Sequence, residues 1–393
     1  MHPAPFARLH ALDAVRSLAL ILGVVFHASL SFLPGPVLWV AVDSDRSTAL
    51  ALLFFVLHMF RMTVFFVMAG FFGRLLLERR GAHGFVRDRL KRIALPLVIS
   101  WPLLLAAIVA VTWWAASLKG DAMSTAPRLP MAPGAFSLAH LWFLYLLLWL
   151  YAAAMLLRAA LDAVDPQGHS EQAIDRVLRA TLHNPLVAVA LAAPLWAVFA
   201  FGPPWSQWVG VPAPDTSLIP NPAAITAYGI AFALGWWLQR RPELMHHWER
   251  RWPLHLALAV ACTLAALGLA GPASSFALAS APSTIRTAIA ACYAVAMWSW
   301  SFALIGLALR YLSGYSAWRR YLADASYWLY LIHLPLVMAL QVAVTRLAGP
   351  WWIKFPLILG IAFPLMLGSY QLMVRGTWLG ALLNGHRLPR PLT

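Results

Sequence analysis

Charged residues are scarce in this chain: of 393 residues, 11% are Asp, Glu, Lys or Arg, and only 14 are acidic. Apolar residues make up 62%, and the mean hydropathy is +0.72. Soluble domains are about one quarter charged and about 45–50% apolar. The composition therefore excludes a soluble globular protein and indicates a polytopic membrane protein. No segment between the apolar runs is long enough to fold alone, so we expect one integral domain over residues 1–393.

Cysteine and the common catalytic loops are also missing or rare. The two cysteines, Cys262 and Cys292, both lie within apolar runs, where a thiol is unreactive, so we expect neither a disulfide nor a metal site. There is no glycine-rich phosphate loop, zinc-ligand spacing or GxSxG elbow. These absences argue against nucleotide hydrolysis and against a serine esterase mechanism.

Long apolar runs are what the sequence has instead. Runs of about 20 residues are long enough to cross a bilayer as helices. They predict an all-α bundle of about ten transmembrane spans, the fifth of which is short and interrupted by Pro194. The predicted spans are 12–33, 49–73, 93–117, 139–161, 185–202, 221–239, 253–271, 285–309, 321–343 and 353–374.

The net charge of +15 comes from 29 Lys and Arg, most of which fall in alternate segments between the spans. The densest is the basic loop 74–92. This bias follows the positive-inside rule and predicts that both termini are cytoplasmic. It explains the charge without a nucleic acid partner, and it implies attraction to anionic membrane lipids.

Polar side chains at membrane depth are costly and commonly mark functional sites. Arg16 and His27 lie in the first span, and a rise of eleven residues separates them by about 16 Å. His58 and Arg61 are three residues apart in the second span, which places them on one helix face. Further histidines in later spans predict a polar cavity open to the periplasm. We expect Leu57 and Val64, on other faces of the second span, to contact lipid.

Five short motifs contain these polar residues. They are Arg16 and His27 after Leu12-Asp13, Arg89-Leu-Lys-Arg92, His58-Met-Phe-Arg61 followed by Ala69-Gly70-Phe71-Phe72, His140-Leu-Trp-Phe-Leu144, and Ala325-Ser326-Tyr327 with Tyr330, His333 and Pro335. With these motifs the chain resembles the acyltransferase-3 family of integral membrane acyltransferases over nearly its whole length. The last three motifs further resemble the branch that succinylates osmoregulated periplasmic glucans. Ala69 departs from the pattern, because a serine is common at that position.

The resemblance implies a multi-pass enzyme of the bacterial inner membrane that is an acyl-CoA-dependent O-acyltransferase. Succinyl-CoA or acetyl-CoA would be the cytoplasmic donor substrate, with no permanently bound cofactor. The acceptor would be a periplasmic glucan or a related glycan. Within the enzyme class, O-acetylation of another surface polysaccharide remains the alternative.

Acyl transfer to a hydroxyl needs a base and a group that stabilises negative charge. We assign the base to His27 and the charge stabilisation to Arg61, with His58 as a further catalytic candidate. Arg89 and Arg92 are expected to bind the donor phosphates, as is Arg16, which otherwise pairs with Asp13 one turn away. The basic loop also serves topology. His140, Tyr327, Tyr330 and His333 are expected to line the cavity, although helix packing explains the last three equally well.

Two other classes remain open. A proton-coupled transporter also places histidine and arginine in the membrane, but it commonly shows paired repeats and intramembrane carboxylates, whereas Asp13 and Asp324 lie near span ends. A non-catalytic scaffold of a glycan-assembly complex would tolerate the loss of His27.

Overall fold

The structure is a computed structural model that describes residues 5–36, 39–118, 136–203, 205–273 and 281–385. Within these ranges the chain is helical and has no strand, which confirms the all-α prediction. The α-helices found there are α1 Pro5–Ser29, α2 Thr48–Arg89, α3 Leu95–Ser117, α4 Trp142–Val164, α5 His169–His183, α6 Val187–Phe201, α7 Pro222–Leu238, α8 His246–Ala270, α9 Ser283–Tyr311, α10 Ala317–Val344, α11 Trp351–Ser369 and α12 Trp378–Asn384.

Each predicted span corresponds to a helix, namely α1 to α4 and α6 to α11. By length and composition, seven helical stretches in the described chain qualify as membrane spans, and Thr48–Ser117 counts as one of them. The weakest predicted span, 185–202, is α6, which follows α5 after a bend of 108°; this pair would be an eighth span. The number of crossings and the cytoplasmic location of the termini stay predictions, and residues 1–4 and 386–393 lie outside the described residues.

The prediction of a loop over 74–92 is wrong, because this interval is helical throughout. Helix α2 continues to Arg89 and passes through a π-helical turn, Leu90–Ala94, into α3. Its one break is Gly81, with φ 68° and ψ 175°. Glycine adopts such backbone angles without the steric cost that a side chain brings. The basic residues therefore lie on a kinked helix and not on a loop, so the helix backbone determines the side on which each of them lies.

Close approach of two helices fixes α2 against α7. A Cβ atom on Gly235 would lie 1.9 Å from the carbonyl oxygen of Val67, and one on Gly70 would lie 2.1 Å from that of Phe232. Small residues that let backbones touch are typical of helix packing in membranes. Helix α1 packs against α2 on one side and against α10 on the other. The space enclosed by α1, α2, α4 and α10 is the candidate site.

Candidate active site

A cavity of about 750 Å³ lies between these helices. Its lining includes nine of the ten side chains that the sequence predicts for the site. One end is lined by arginine side chains and the other by imidazoles, and apolar side chains such as Leu20, Met62 and Phe72 lie between them. The nine predicted residues are Arg16, His27, Arg61, Arg89, Arg92, His140, Tyr327, Tyr330 and His333.

The imidazole end is built around His27, in the last turn of α1. The ring centroid of His333 is 5.1 Å from that of His27, and the ring of His140 is 5.1 Å beyond His333. The His27 ring also stacks with Trp39 at 6.2 Å and an interplanar angle of 20°. The Nδ1 atom of His27 is buried and has no hydrogen-bond partner in the described part of the chain. His27 is thus in contact with two further rings, those of His333 and Trp39.

Hydrogen bonds to backbone carbonyls assign the tautomers of the other two histidines. Nδ1 of His333 lies 2.7 Å from the carbonyl oxygen of Tyr330, and Nε2 of His140 lies 3.0 Å from that of Leu331. A carbonyl oxygen only accepts, so each of these nitrogens donates a proton, and the opposite nitrogen of the neutral ring is an acceptor. Both rings therefore have one nitrogen with a lone pair that can accept a hydrogen bond.

The sequence explains why the carbonyl of Leu331 is available. In an α-helix it would accept from the residue four positions on, which is Pro335 and has no N–H group. His140 takes the place of the missing donor. It lies in the short 3₁₀ turn Ala139–Leu141, where Ala139 has φ 45°, a conformation that costs energy for a residue with a Cβ atom. The hydroxyl of Tyr330 donates to the carbonyl of His140 at 2.7 Å and fixes the same turn.

Arg61 lies in the cavity without a carboxylate partner among the described residues. Its guanidinium carbon is 4.8 Å from the ring centroid of Phe26, a cation–π contact. Gly23 leaves room for it, because a Cβ atom there would lie 3.1 Å from Nη1 of Arg61. The Nε atom is buried and has no partner in the described chain. Arg61 is half-buried, and a cation that is partly removed from water without a partner is costly, so the cavity is suited to an anionic ligand at this point.

His58 is not among the residues that line the cavity. Its Nδ1 atom lies 3.4 Å from the hydroxyl oxygen of Tyr293, and its ring packs against Phe26 at 5.5 Å and Phe54 at 5.8 Å. The shared helix face of His58 and Arg61 therefore does not bring both side chains into the cavity. Leu57 and Val64, predicted to face lipid, are 3% and 1% exposed, so that expectation is wrong.

The arginine end is organised by two carboxylates. Asp88 is buried and binds three guanidinium groups: Nη2 of Arg89 at 2.6 Å, Nη1 of Arg80 at 2.8 Å and Nε of Arg92 at 3.2 Å. Asp13 pairs with Arg16 at 3.3 Å, as the sequence suggests, and lies 3.6 Å from Arg320. These pairs hold the arginines in position, and four of them, Arg16, Arg89, Arg92 and Arg320, also line the cavity.

Sequence reasoning missed several residues at this end. Arg79, Arg320 and Asn384 also line the cavity. The organising role of Asp88 was missed as well, although its spacing of four from Arg92 indicates an ion pair on a helix. Asn384 belongs to α12. Its side-chain amide nitrogen, Nδ2, donates to the carbonyl oxygen of Asp324 at 2.9 Å. Its approach to the cavity depends on tertiary folding, and no local pattern indicates it.

Comparison with known proteins gives the class of this protein. The model of the acyltransferase-3 family, described as an acyltransferase domain, matches residues 9–371. The chain belongs to this family, and it is an acyltransferase by class.

More specific relatives are three Escherichia coli proteins named glucans biosynthesis protein C, from strains 536, SMS-3-5 and K12. Each is 33% identical over 153 residues, which are 37% of this chain and 38% of the relative. The chain thus spans less than two fifths of the length of the curated relatives that it matches. No solved structure matches the chain.

Proposed function

We propose that this protein is a membrane O-acyltransferase that moves a succinyl group from cytoplasmic acyl-CoA to a hydroxyl group of a periplasmic glucan. The observation that carries the proposal is the single cavity that joins an arginine-lined end to an imidazole-lined end. Such a cavity lets a donor and an acceptor enter from opposite sides of the membrane and meet inside it. We also propose that the chain is one integral domain in a bacterial inner membrane.

The arginine end fits the phosphates of CoA. Guanidinium groups bind phosphate oxygens with two parallel hydrogen bonds, and they keep their charge when partly buried. Arg16, Arg89 and Arg92 are proposed as the donor-binding residues, assisted by Arg79 and Arg320. Because CoA is long and flexible, its phosphates can stay at this end while the thioester reaches along the apolar part of the cavity to His27.

His27 is proposed as the general base. Its imidazole removes the proton of the attacking sugar hydroxyl as the oxygen bonds to the thioester carbonyl carbon. The carbon–sulfur bond then breaks, and the same proton passes to the CoA thiolate, so the products are the ester and free CoA. His333 and His140 line the cavity beside His27, and their acceptor nitrogens are suited to accept hydrogen bonds from other hydroxyl groups of the same sugar. We propose no direct role for His58, which does not line the cavity.

Arg61 supports the proposal that the acyl group is succinyl. A succinyl group ends in a carboxylate, whereas an acetyl group carries no charge. A half-buried guanidinium that lines the cavity and has no carboxylate partner among the described residues would bind that carboxylate with charge-assisted hydrogen bonds. The relatives' name supports a glucan as the acceptor. O-acetylation of another polysaccharide is the alternative, and the experiment described next distinguishes it from succinylation of a glucan.

The test is acyl transfer by the purified protein in proteoliposomes supplied with succinyl-CoA or acetyl-CoA and an unmodified glucan. Mass spectrometry of the glucan should show succinyl groups with the native protein and none with His27→Ala. His83→Ala, which changes an exposed histidine of α2 outside the cavity, is the matched control and should retain activity. Succinylation by His27→Ala would refute the assigned base, and acetylation alone would refute the donor.

A further inference from the structure

We infer that Gln341 is a positioning residue for His27, an inference that rests on the proposed function. Gln341 lies on α10 and is completely buried. Its Nε2 atom donates to the carbonyl oxygens of His27 at 2.9 Å and Ala28 at 3.1 Å. Its Oε1 atom accepts from the indole nitrogen of Trp39 at 2.9 Å. One amide thus binds both the backbone that carries the base and the ring that stacks on it.

The partners determine the orientation of this amide. An indole nitrogen only donates and a carbonyl oxygen only accepts, so Oε1 must face Trp39 and Nε2 must face α1. The carbonyls involved lie in the last turn of α1, which ends at Ser29. The final carbonyls of a helix lose their α-helical partners and are commonly bound by side chains. Gln341 therefore holds the helix end where His27 lies, and only an amide supplies both a donor and an acceptor there.

Trp39 belongs to the segment between α1 and α2, and residues that follow it in this segment bind α11. Asp43 of this segment is buried in an ion pair with Lys354, at 2.8 Å, and Asp45 accepts from the backbone nitrogen of Trp351 at 2.7 Å. These contacts fix the segment to the start of α11. The hydrogen bond to Gln341 then sets the indole over the His27 ring. The ring of His27 is consequently restrained on its backbone and on one face by the same side chain.

The consequence is kinetic. Gln341 does not line the cavity, so its loss should leave donor binding intact. It should instead let the imidazole leave its reactive position, and a shift of about 1 Å at a reacting group costs about 100-fold in rate. Gln341→Met keeps the length and volume of the side chain and removes all three hydrogen bonds. Trp39→Phe keeps a ring over His27 and removes only the indole hydrogen bond.

Steady-state kinetics in proteoliposomes with succinyl-CoA and glucan test the inference. We expect kcat to fall about 10- to 100-fold in Gln341→Met, less in Trp39→Phe, and KM for succinyl-CoA and Tm to change little in either. Ser369→Ala is the matched control. This variant removes the hydrogen bond that Ser369, on α11, accepts from the indole nitrogen of Trp328, on α10, at 2.9 Å. Like the bond between Trp39 and Gln341, it joins an indole to another segment through α10, but neither residue lines the cavity. The variant should retain the native kcat.

The outcomes separate this inference from the proposed function. A native kcat in Gln341→Met, together with an inactive His27→Ala, overturns the positioning role and leaves the proposed base intact. Activity in His27→Ala refutes the base, and Gln341 then cannot act through it, so the inference fails as well. A parallel fall of kcat, donor affinity and Tm in Gln341→Met indicates general unfolding and also overturns it.

Discussion

Two prolines act on the site through the hydrogen bonds that they remove. Pro335 leaves the carbonyl of Leu331 without a donor in its own helix, and His140 supplies one. Pro96 does the same for the carbonyl of Arg92, which accepts from the hydroxyl of Tyr327 at 2.6 Å. Each proline therefore links α10 to a neighbouring part of the cavity. Changing either proline to alanine would give the carbonyl a competing partner.

Arg61 is the residue on which donor choice should depend. We expect Arg61→Gln to lower succinyl transfer about 10- to 100-fold, the cost of about 1.5–3 kcal/mol for a lost hydrogen bond to a charged group. Transfer from acetyl-CoA should change much less, because that acyl group has no carboxylate. The measurement is the rate of acyl transfer from succinyl-CoA and from acetyl-CoA in the same proteoliposomes. An equal fall for both would show that Arg61 stabilises charge on the reacting carbonyl instead.

At the scale of the element, the kinked α2 and its π-helical turn determine the positions of Arg89 and Arg92, the residues proposed to bind the acyl donor. The π-helix shifts the register of the side chains, and such turns are frequent at functional sites. Asp88 receives Arg89 on one oxygen and Arg80 with Arg92 on the other. Removing all three partners would leave a buried, unpaired carboxylate, which is strongly destabilising. A single change is therefore the better probe of donor binding.

We expect Arg92→Gln to raise the dissociation constant of CoA about tenfold, from the loss of a charge-assisted phosphate contact. Asp88 keeps two partners in this variant, so the fold should survive. The measurement is a thermal-shift titration of purified protein with CoA. Arg251→Gln is the control, because Arg251 is outside the cavity and donates to the carbonyl of His183. Equal affinities in the two variants would mean that the basic segment serves topology and lipid attraction alone.

The sequence predicts most of the helices and most of the cavity residues, because apolar runs and isolated polar groups are local signals. It does not predict which faces of a helix are covered. Leu57 and Val64 are buried because α2 packs against α1, α7 and α9 at once, which a helical wheel of α2 alone does not show. For the same reason His58 meets Tyr293 on α9 and lies outside the cavity. Gln341 and Trp39 are 302 residues apart, and no spacing rule connects them.

At the scale of the whole molecule, the proposed function requires that the two ends of the cavity face opposite compartments. Helix α2 provides the test, because its part from Thr48 to Arg80, before the break at Gly81, is about 48 Å long, well over the roughly 30 Å thickness of the hydrocarbon core. We therefore expect its two ends to emerge on different sides. The basic residues after Leu77 predict that the second end is cytoplasmic.

Single cysteines at exposed positions beyond each end should report the orientation, in a protein whose Cys262 and Cys292 are changed to serine. We expect Ser44→Cys to react with a membrane-impermeant thiol reagent added to intact spheroplasts. Ala82→Cys should react only in inverted vesicles, since the reagent reaches it from the cytoplasmic side alone. Both positions are exposed on the protein surface, so no other part of the protein covers them, and labelling from one side reports the side of the membrane on which each lies. The opposite pattern would place the arginine end outside, where acyl-CoA is not available, and would remove the basis for the proposed direction of transfer.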